Sequence, residues 1–485
     1  MRGADSLHCY NRWVSSFHVE NFGCRATQAD GAAIERQLME RGFSRAADSA
    51  QAALVVLNTC TVTASADQDV RTAIGRVHRQ NPQCRILVTG CYAQRAPREI
   101  AAIPGVDWVV GNSHKHQIAE LACPSAVPAH SFVSVASLAS QSHPHRPAAL
   151  ETGPVPSDRQ AQIIVGDIFA HTELLAAPVL DADTDFERTR PNLKVQDGCN
   201  NRCSFCIIPS VRGRSRSLSA AEVVRQVQAL VSSGYREVVL SGINLGRWGR
   251  DFSPPSKFAH LLRAILEQTA VEKLRISSVE PMDWTDELID LISGCSRVAR
   301  HAHVPLQSGS DRVLRLMHRK YRPWHYAEKI RAIRAAMPSA AIGGDVMVGF
   351  PGETDSDFEQ TRALIAELPF TYLHVFTFSA RPGTPAAVLP DQAPAPIARE
   401  RNRILRELAA EKKSAFQRSF LGSRLPAITL KAGSNESTDA LTDNYLKLRL
   451  AGRHESNRWL EAHIHDVSGD CLVGQVGAPG NSIAS

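Results

Sequence analysis

The sequence predicts an α/β protein in three parts: an N-terminal open parallel α/β sheet, a central partial (β/α) barrel and a small C-terminal antiparallel β-barrel. Two stretches of chain, one ending near residue 121 and one starting near residue 189, alternate short apolar runs with helix-like segments. Residues 421–485 instead alternate apolar with polar side chains, as half-buried strands do. A length of 485 residues also favours several domains over one core.

The N-terminal domain is predicted to span residues 15–121. The run 53–57 is apolar throughout, which is typical of a parallel strand buried on both faces. Helices are expected near residues 30–41 and 67–79, and the other strands at residues 17–22, 85–89 and 107–110. This order of strands and helices indicates an open parallel sheet.

Residues 122–188 are predicted to be a linker or insertion, because residues 136–156 are rich in Ala, Ser, Pro and His and show little periodicity. The next domain is predicted over residues 189–420, with strands at 237–241, 273–276, 302–305, 344–348 and 372–376, and helices at 220–232, 357–367 and 397–419. In a barrel of this kind, ligands bind at the carboxyl ends of the strands.

Composition describes an ordinary globular protein, with 43% hydrophobic and 21% charged residues. We expect a cytoplasmic location with no membrane association, since no apolar run approaches the roughly 20 residues that span a bilayer, and the N-terminus lacks a secretory signal. The net charge of +6 permits a nucleic-acid partner without requiring one. Eleven cysteines in such a protein favour metal or catalytic use over disulfides.

Three of these cysteines, Cys199, Cys203 and Cys206, have Cys-x3-Cys-x2-Cys spacing just after the first predicted barrel strand. A 4Fe–4S cluster normally takes four Cys ligands, so three would leave one iron open to the amino and carboxylate groups of S-adenosylmethionine. Electron transfer would then yield a 5′-deoxyadenosyl radical. Zinc is the alternative, but no second cysteine pair follows nearby. The spacing resembles the signature of the radical S-adenosylmethionine superfamily.

A second set, Cys24, Cys60 and Cys91, is scattered along the chain, but each residue lies just past the end of a predicted parallel strand. Open α/β sheets bind ligands at that edge. The sequence therefore predicts a second cluster with an open iron, and the alternative is three unrelated buried thiols. A radical-forming cluster beside a second cluster suggests conversion of a C–H bond to a C–S bond.

The chain resembles the methylthiotransferase family of radical S-adenosylmethionine enzymes in motifs spread over nearly its whole length apart from the linker. Three segments look most like the branch that acts on tRNA threonylcarbamoyladenosine: Gly-Cys-Arg at 23–25, Thr-Gly-Cys-Tyr-Ala-Gln at 89–94 and Arg-Pro-Gly-Thr-Pro at 381–385. Other matching segments are 21–25, 57–63, 88–94, 194–209, 276–281, 304–310, 345–353 and 442–445.

This resemblance implies transfer of a methylthio group to C2 of N6-threonylcarbamoyladenosine at position 37 of tRNA. It implies two 4Fe–4S clusters, with S-adenosylmethionine as radical source and methyl donor. It also implies a C-terminal barrel of the TRAM type over residues 421–485, a reductant such as flavodoxin or ferredoxin, and a monomeric enzyme.

Polar residues at predicted strand ends are candidates for binding the cofactor: Ser241, Gly242, Asn244, Ser278, Glu280, Gln307 and Ser308. Each is equally compatible with a loop or capping role. Candidate RNA contacts are Arg212, Arg214 and Arg216 after the cysteine loop, and Lys431, Lys447, Arg449, Arg453, Tyr445 and Trp459 on the C-terminal barrel. The alternative for the barrel residues is a solvated strand face.

Two other functions are compatible with the sequence. Within the same chemistry, the substrate could be an isopentenyl-type adenosine or an aspartate of a ribosomal protein. In a different class, the chain could be an RNA-binding iron–sulfur redox sensor without turnover, which needs no open iron. Reductive cleavage of S-adenosylmethionine separates the enzymes from the sensor.

Overall fold

A computed structural model of the chain describes residues 16–122, 160–172, 174, 189–434 and 436–476. The described residues form two compact units, which fall within residues 1–21, 34–59 and 68–166 and within residues 22–33, 60–67 and 167–485. Most of the predicted linker, including all of residues 136–156, lies outside the described residues. No helix in the described part of the chain has an apolar stretch that could span a bilayer.

The first unit contains a six-stranded sheet in the order β2-β1-β3-β4-β5-β6, with every neighbouring pair parallel. All six residues of β3 are buried, as its apolar sequence predicts. The strands are β1 (Ser16–Asn21), β2 (Ser44–Arg45), β3 (Leu54–Thr59), β4 (Arg85–Gly90), β5 (Val106–Gly111) and β6 (Gln162–Ile164). The predicted open parallel sheet is confirmed.

Five helices accompany these strands: α1 (Arg25–Glu40), α2 (Ala64–Gln80), α3 (Cys91–Arg95), α4 (Pro97–Ala101) and α5 (Ile118–Ala122). Helix α1 begins five residues before the predicted start, so Asp30 lies within the helix. The carboxylate of Asp30 forms ion pairs with Lys194 and Arg212. Strand β6 falls within the predicted linker, which corrects the prediction there; it is a short edge strand in the apolar run at residues 163–165.

Six parallel strands of the second unit form the predicted partial barrel: β7 (Asn192–Asp197), β9 (Glu237–Gly242), β10 (Lys273–Ile276), β11 (His301–His303), β12 (Ala341–Val348) and β13 (Tyr372–Thr377). Strand β8 (Arg216–Ser217) pairs antiparallel with β7 at one edge. The strands form two sheets, β10-β9-β7-β8 and β11-β12-β13. Isolated parallel bridges, Leu274 with Val298 and Ser278 with His303, connect them.

The helices of this barrel are α6 (Ile208–Arg212), α7 (Ala220–Ser232), α8 (Phe258–Gln268), α9 (Asp286–Gly294), α10 (Asp311–Leu316), α11 (Pro323–Ala336), α12 (Asp355–Glu367) and α13 (Ala395–Arg418). Strand residues that face these helices, such as Leu274, Ala302 and Ile342, join one apolar core with them. Alternate residues on the same strands face the other way. That second face is polar and carries Arg275, His301, His303, Asp345 and His374.

A closed five-stranded barrel follows α13, in the order β14-β15-β16-β18-β17. Its strands are β14 (Arg424–Ser434), β15 (Ser437–Thr442), β16 (Lys447–Ala451), β17 (Trp459–Ser468) and β18 (Cys471–Val476). Neighbouring strands are antiparallel except for the parallel pair β16-β18. Leu448, Leu450, Ile464 and Leu472 fill its interior. The predicted small C-terminal β-barrel is confirmed.

Candidate functional site

The loop after β7 carries Cys199, Cys203 and Cys206 and is fixed by backbone hydrogen bonds. Gly198 has a φ of 72°, and a Cβ there would lie 2.0 Å from the carbonyl oxygen of Arg214, so only glycine fits this turn. The amide of Cys199 donates to the carbonyl of Gly213 at 3.1 Å, and the Ser204 hydroxyl donates to the carbonyl of Leu316 at 2.7 Å. The loop is therefore held in place by hydrogen bonds from the protein itself.

The three thiols are free and partly covered. Burial raises the pKa of the Cys206 thiol to about 12, and the nearby thiols of Cys203 and Cys199 add to that shift. Burial likewise raises the pKa of Cys199. Buried, clustered thiols of this kind become thiolates when a metal binds them, so the donor set fits an iron–sulfur cluster.

Arg319, which the sequence analysis missed, provides positive charge at this loop. Its Nη1 lies 3.2 Å from Cys203 Sγ, and its Nη2 is ion-paired with Glu280. The guanidinium is buried, with a side chain 5% exposed. Arg319 lies between α10 and α11, far along the chain from the cysteines, so no local spacing could have indicated it. Glu280, predicted to bind the cofactor, is thus held by Arg319.

Three of the other predicted cofactor-binding residues have buried polar atoms without a hydrogen-bond partner among the described residues: Ser241 Oγ, Asn244 Oδ1 and Gln307 Oε1. Asn244 also donates from Nδ2 to Cys199 Sγ at 3.5 Å. Gln307 has a φ of 66°, an uncommon conformation for a residue other than glycine. Buried polar groups normally have partners, so these atoms fit a polar ligand, and the contact of Asn244 with Cys199 places one of them beside the cysteine loop.

The remaining predicted cofactor-binding residues have contacts within the protein. The close approach at Gly242 is to Gln196, whose Oε1 would lie 2.9 Å from a Cβ there. Ser308 is fully buried and its hydroxyl is 3.3 Å from Thr361 Oγ1. Ser278 is half-buried and its backbone bridges to His303. Their roles toward a cofactor stay predictions.

Cys24 and Cys60, from the second predicted set, belong to neighbouring turns. Gly23 has a φ of 105°, and a Cβ there would lie 2.6 Å from Cys60 Cβ and 2.9 Å from Cys60 Sγ. Cys24 is the next residue, is exposed, and has its Sγ 3.6 Å from Thr27 Oγ1. The turn before Cys24 therefore packs directly on Cys60.

Cys91 begins helix α3 directly after β4. Thr59 and Gly90 are paired residues at the ends of β3 and β4, so Cys60 and Cys91 each follow a paired position. The Nδ2 of Asn112 donates to Cys91 Sγ at 3.5 Å. Since β1, β3 and β4 are neighbours in the sheet, the three cysteines follow three adjacent strands.

The candidate RNA contacts differ in exposure. Arg212 is 2% exposed and is ion-paired with Asp30 and Asp197, which corrects its prediction as a phosphate contact, because no surface remains for RNA. Arg216 also turns inward, toward the carbonyl of His171. Arg214 is exposed.

Lys447 and Arg449 point outward from β16, in alternation with buried Leu448 and Leu450. Both border a cavity of about 990 Å³ that Arg190, Arg406 and Lys413 also line. Tyr445 is not a free stacking surface, because its ring packs 4.6 Å from that of His301 and its hydroxyl accepts from Arg25. Five cations thus line this cavity, together with Asp470, which pairs with Lys413 and Lys447, and Asp439, which pairs with Arg449.

The partial (β/α) barrel with its three-cysteine loop defines a radical S-adenosylmethionine enzyme, a class that binds S-adenosylmethionine and a 4Fe–4S cluster. Residues 193–365 match the radical SAM superfamily, and residues 16–111 match the family described as uncharacterized protein family UPF0004. In fold alone, the chain is similar to the radical S-adenosylmethionine methyltransferase TsrM from Kitasatospora setae, with a TM-score of 0.51 and 16% identity over 77% of this chain and 75% of that one.

Curated relatives match over most of their length. The threonylcarbamoyladenosine tRNA methylthiotransferase MtaB of Aquifex aeolicus is 35% identical over 90% of this chain and 97% of its own. The enzyme of the same name from Bacillus subtilis is 36% identical over 91% of both chains. A tRNA-2-methylthio-N(6)-dimethylallyladenosine synthase of Syntrophotalea carbinolica is 33% identical over 86% of this chain and 88% of its own. The chain belongs to the radical S-adenosylmethionine tRNA methylthiotransferase family, which confirms the resemblance inferred from its motifs.

Proposed function

We propose that the protein transfers a methylthio group to C2 of N6-threonylcarbamoyladenosine at position 37 of tRNA, with two 4Fe–4S clusters and with S-adenosylmethionine as radical source and methyl donor. The observation that carries this proposal is the 35–36% identity to two relatives named for that substrate, over about nine-tenths of the chain. The polar face of the barrel supports it, since this substrate carries a carboxylate and a hydroxyl group.

In the radical half of the site, Cys199, Cys203 and Cys206 hold one cluster. When bound, the cluster and S-adenosylmethionine supply the 5′-deoxyadenosyl radical. Asn244 orients Cys199 through its Nδ2 contact of 3.5 Å, and Arg319 balances negative charge beside Cys203. The unpartnered atoms of Ser241, Asn244 and Gln307 bind polar groups of S-adenosylmethionine, with Gly242, Ser278, Glu280 and Ser308 shaping the pocket.

In the sulfur half, Cys24, Cys60 and Cys91 would hold the second cluster, which would carry the sulfur that is transferred. The support is their position after three adjacent strands and the packing of the Gly23 turn on Cys60. Arg25, next to Cys24, donates to the Tyr445 hydroxyl at 3.1 Å. Tyr445 in turn packs on His301 of β11, so it connects Arg25 to the polar face of the barrel.

In this proposal tRNA phosphates are contacted by Arg214 and by the cations that line the cavity, which are Lys447, Arg449, Arg190, Arg406 and Lys413. A low-potential protein such as flavodoxin or ferredoxin supplies electrons, and the enzyme works as a monomer. The proposal also keeps the predicted domain limits, which are residues 15–121, 189–420 and 421–485, with an insertion at 122–188.

Dimethylallyladenosine in tRNA is a second candidate substrate, because relatives named for it are 32–35% identical to the chain. A prenyl group requires apolar surroundings, since burying it against unpartnered polar groups leaves them without hydrogen bonds. The face formed by His301, His303, Asp345 and His374 is polar and therefore favours the threonylcarbamoyl group.

The test is nucleoside mass spectrometry after incubating reconstituted enzyme, reductant and S-adenosylmethionine with two tRNAs, one carrying N6-threonylcarbamoyladenosine and one carrying dimethylallyladenosine at position 37. The proposal predicts the 2-methylthio product of the first tRNA only. Product from the second tRNA alone would assign the other substrate. Absence of 5′-deoxyadenosine with both tRNAs would reject methylthio transfer altogether.

A further inference from the structure

Three potential metal ligands, none of them a predicted cluster cysteine, lie together on the polar face of the barrel. His303 ends β11, Asp345 lies in β12, and His374 lies in β13. Their ligand atoms all lie within 4.8 Å of one another. We propose that His303, Asp345 and His374 bind one divalent transition-metal ion.

The backbone places these residues as neighbours. Strand β12 is hydrogen-bonded to both β11 and β13, with Asp345 opposite His374 and with His303 opposite Gly343, two residues before Asp345. Residues two apart on a strand share a face, so all three side chains lie on one side of the sheet. Gly343 carries no side chain on that side, and the ring of Tyr372 lies over it.

The separations fit a metal site. Asp345 Oδ1 lies 3.3 Å from His303 Nε2 and 3.2 Å from His374 Nδ1. Ligands of a tetrahedral Zn²⁺ lie about 3.3 Å apart, as follows from Zn–N and Zn–O bonds of about 2.0–2.2 Å. One carboxylate oxygen is therefore already at coordination spacing from both imidazoles.

An unsatisfied atom points to a ligand at the same place. His303 is 8% exposed, and its Nε2 has no hydrogen-bond partner of acceptable geometry among the described residues, despite its closeness to Asp345. The Asp345 carboxylate, 3.3 Å away, satisfies this nitrogen only in part, because the contact is poorly directed. A metal ion held between His303 and Asp345 would satisfy it.

The ligand chemistry narrows the kind of ion. Two imidazoles and one carboxylate favour Zn²⁺, Fe²⁺, Co²⁺ or Mn²⁺ over Ca²⁺ and Mg²⁺, and such sets of three leave coordination positions open. The His374 side chain is 63% exposed and borders the cavity of about 990 Å³. The open positions would therefore accept an oxygen donor from that side, either water or an oxygen of a bound substrate.

The experiment titrates Zn²⁺ into the full-length protein with its iron–sulfur clusters loaded, so that the cluster cysteines are occupied. Isothermal titration calorimetry compares the wild type with Asp345→Asn, His374→Ala and the control His325→Ala, which removes an exposed histidine on α11. X-ray absorption at the zinc edge then identifies the ligands, since Zn–N and Zn–O bonds of about 2.0–2.2 Å differ from Zn–S bonds of about 2.3 Å.

The proposal predicts one Zn²⁺ per chain with nitrogen and oxygen ligands in the wild type and in His325→Ala. Binding should weaken at least tenfold in Asp345→Asn and in His374→Ala, with unchanged iron content as the sign of intact folding. Two results would each overturn it: zinc held by sulfur, or equal affinity in all four proteins. Failure of the wild type to bind Zn²⁺ would equally reject the site and would leave the proposed methylthio transfer unaffected.

Discussion

Arg212 Nη2 lies 3.0 Å from Asp30 Oδ2, which joins the helix that follows Cys24 to the helix that follows Cys206. Arg212 also pairs with Asp197 at 3.0 Å, and Lys194 pairs with both carboxylates. Burial opposes ionisation of Asp197, but the charges of Arg212 and Lys194 outweigh it and hold its pKa well below the usual range. Asp30 and Asp197 thus form a buried charge network with Lys194 and Arg212 beside the cysteine loop, and Arg216 adds a third cation 4.0 Å from Asp197.

Replacing Arg212 with Ala should lower the free energy of unfolding by about 3–5 kcal/mol, because it removes a buried cation that pairs with both Asp30 and Asp197. Urea denaturation of the purified protein measures this. The matched control is Arg225→Ala, which removes a 73% exposed arginine paired with Glu222 and should change stability by less than about 1 kcal/mol. Equal losses in the two variants would contradict a structural role for the network.

Replacing Arg319 with Gln should make the midpoint potential of the Cys199–Cys203–Cys206 cluster more negative. Reduction adds negative charge to the cluster, and the Arg319 guanidinium, 3.2 Å from Cys203 Sγ, stabilises that charge. The variant lacks this guanidinium, so its cluster is harder to reduce. A redox titration followed by electron paramagnetic resonance gives the potential. Arg315→Gln serves as control, because the Arg315 side chain on α10 is 62% exposed. An unchanged potential in Arg319→Gln would show that this guanidinium has only a packing role.

Replacing Gly23 with Ala should remove the second cluster and spare the first. The added Cβ would meet Cys60 Cβ at 2.6 Å, which displaces a predicted ligand. Iron analysis should fall from about eight to about four irons per chain. Gly42→Ala is the matched control, since Gly42 has a φ of 85° but nothing within 4 Å of an added Cβ. Loss of iron in both variants would attribute the effect to backbone strain instead.

Replacing Lys447 and Arg449 together with Ala should weaken tRNA binding and reduce its dependence on salt. Removing one cation that pairs with a phosphate lowers the slope of log affinity against log salt by roughly 1. Fluorescence anisotropy at several salt concentrations measures both quantities. Arg362→Ala removes an exposed arginine of α12 paired with Glu359 and should leave the slope unchanged. A slope equal to wild type in the double variant would place the RNA elsewhere.

Features with a local pattern were predictable from the sequence. The bounds of α7 and β10 agree with the predicted 220–232 and 273–276, because apolar periodicity is strong there. The three-cysteine loop was recognisable from its spacing. Three other features depend on tertiary contacts between segments that are distant along the chain. They are the contact of Arg319 with Cys203, the burial of Arg212, and the grouping of His303, Asp345 and His374. Nothing in their local sequence distinguishes them from surface charges.

The division of labour between two clusters is the central claim, and product analysis of two triple variants tests it most directly. The first variant carries Ala in place of Cys199, Cys203 and Cys206. The second variant carries Ala in place of Cys24, Cys60 and Cys91. Each is incubated with tRNA, reductant and S-adenosylmethionine. The first should form no 5′-deoxyadenosine and no methylthio nucleoside, whereas the second should still form 5′-deoxyadenosine but no methylthio nucleoside. Methylthio product from the second variant would contradict a sulfur-carrying role for Cys24, Cys60 and Cys91.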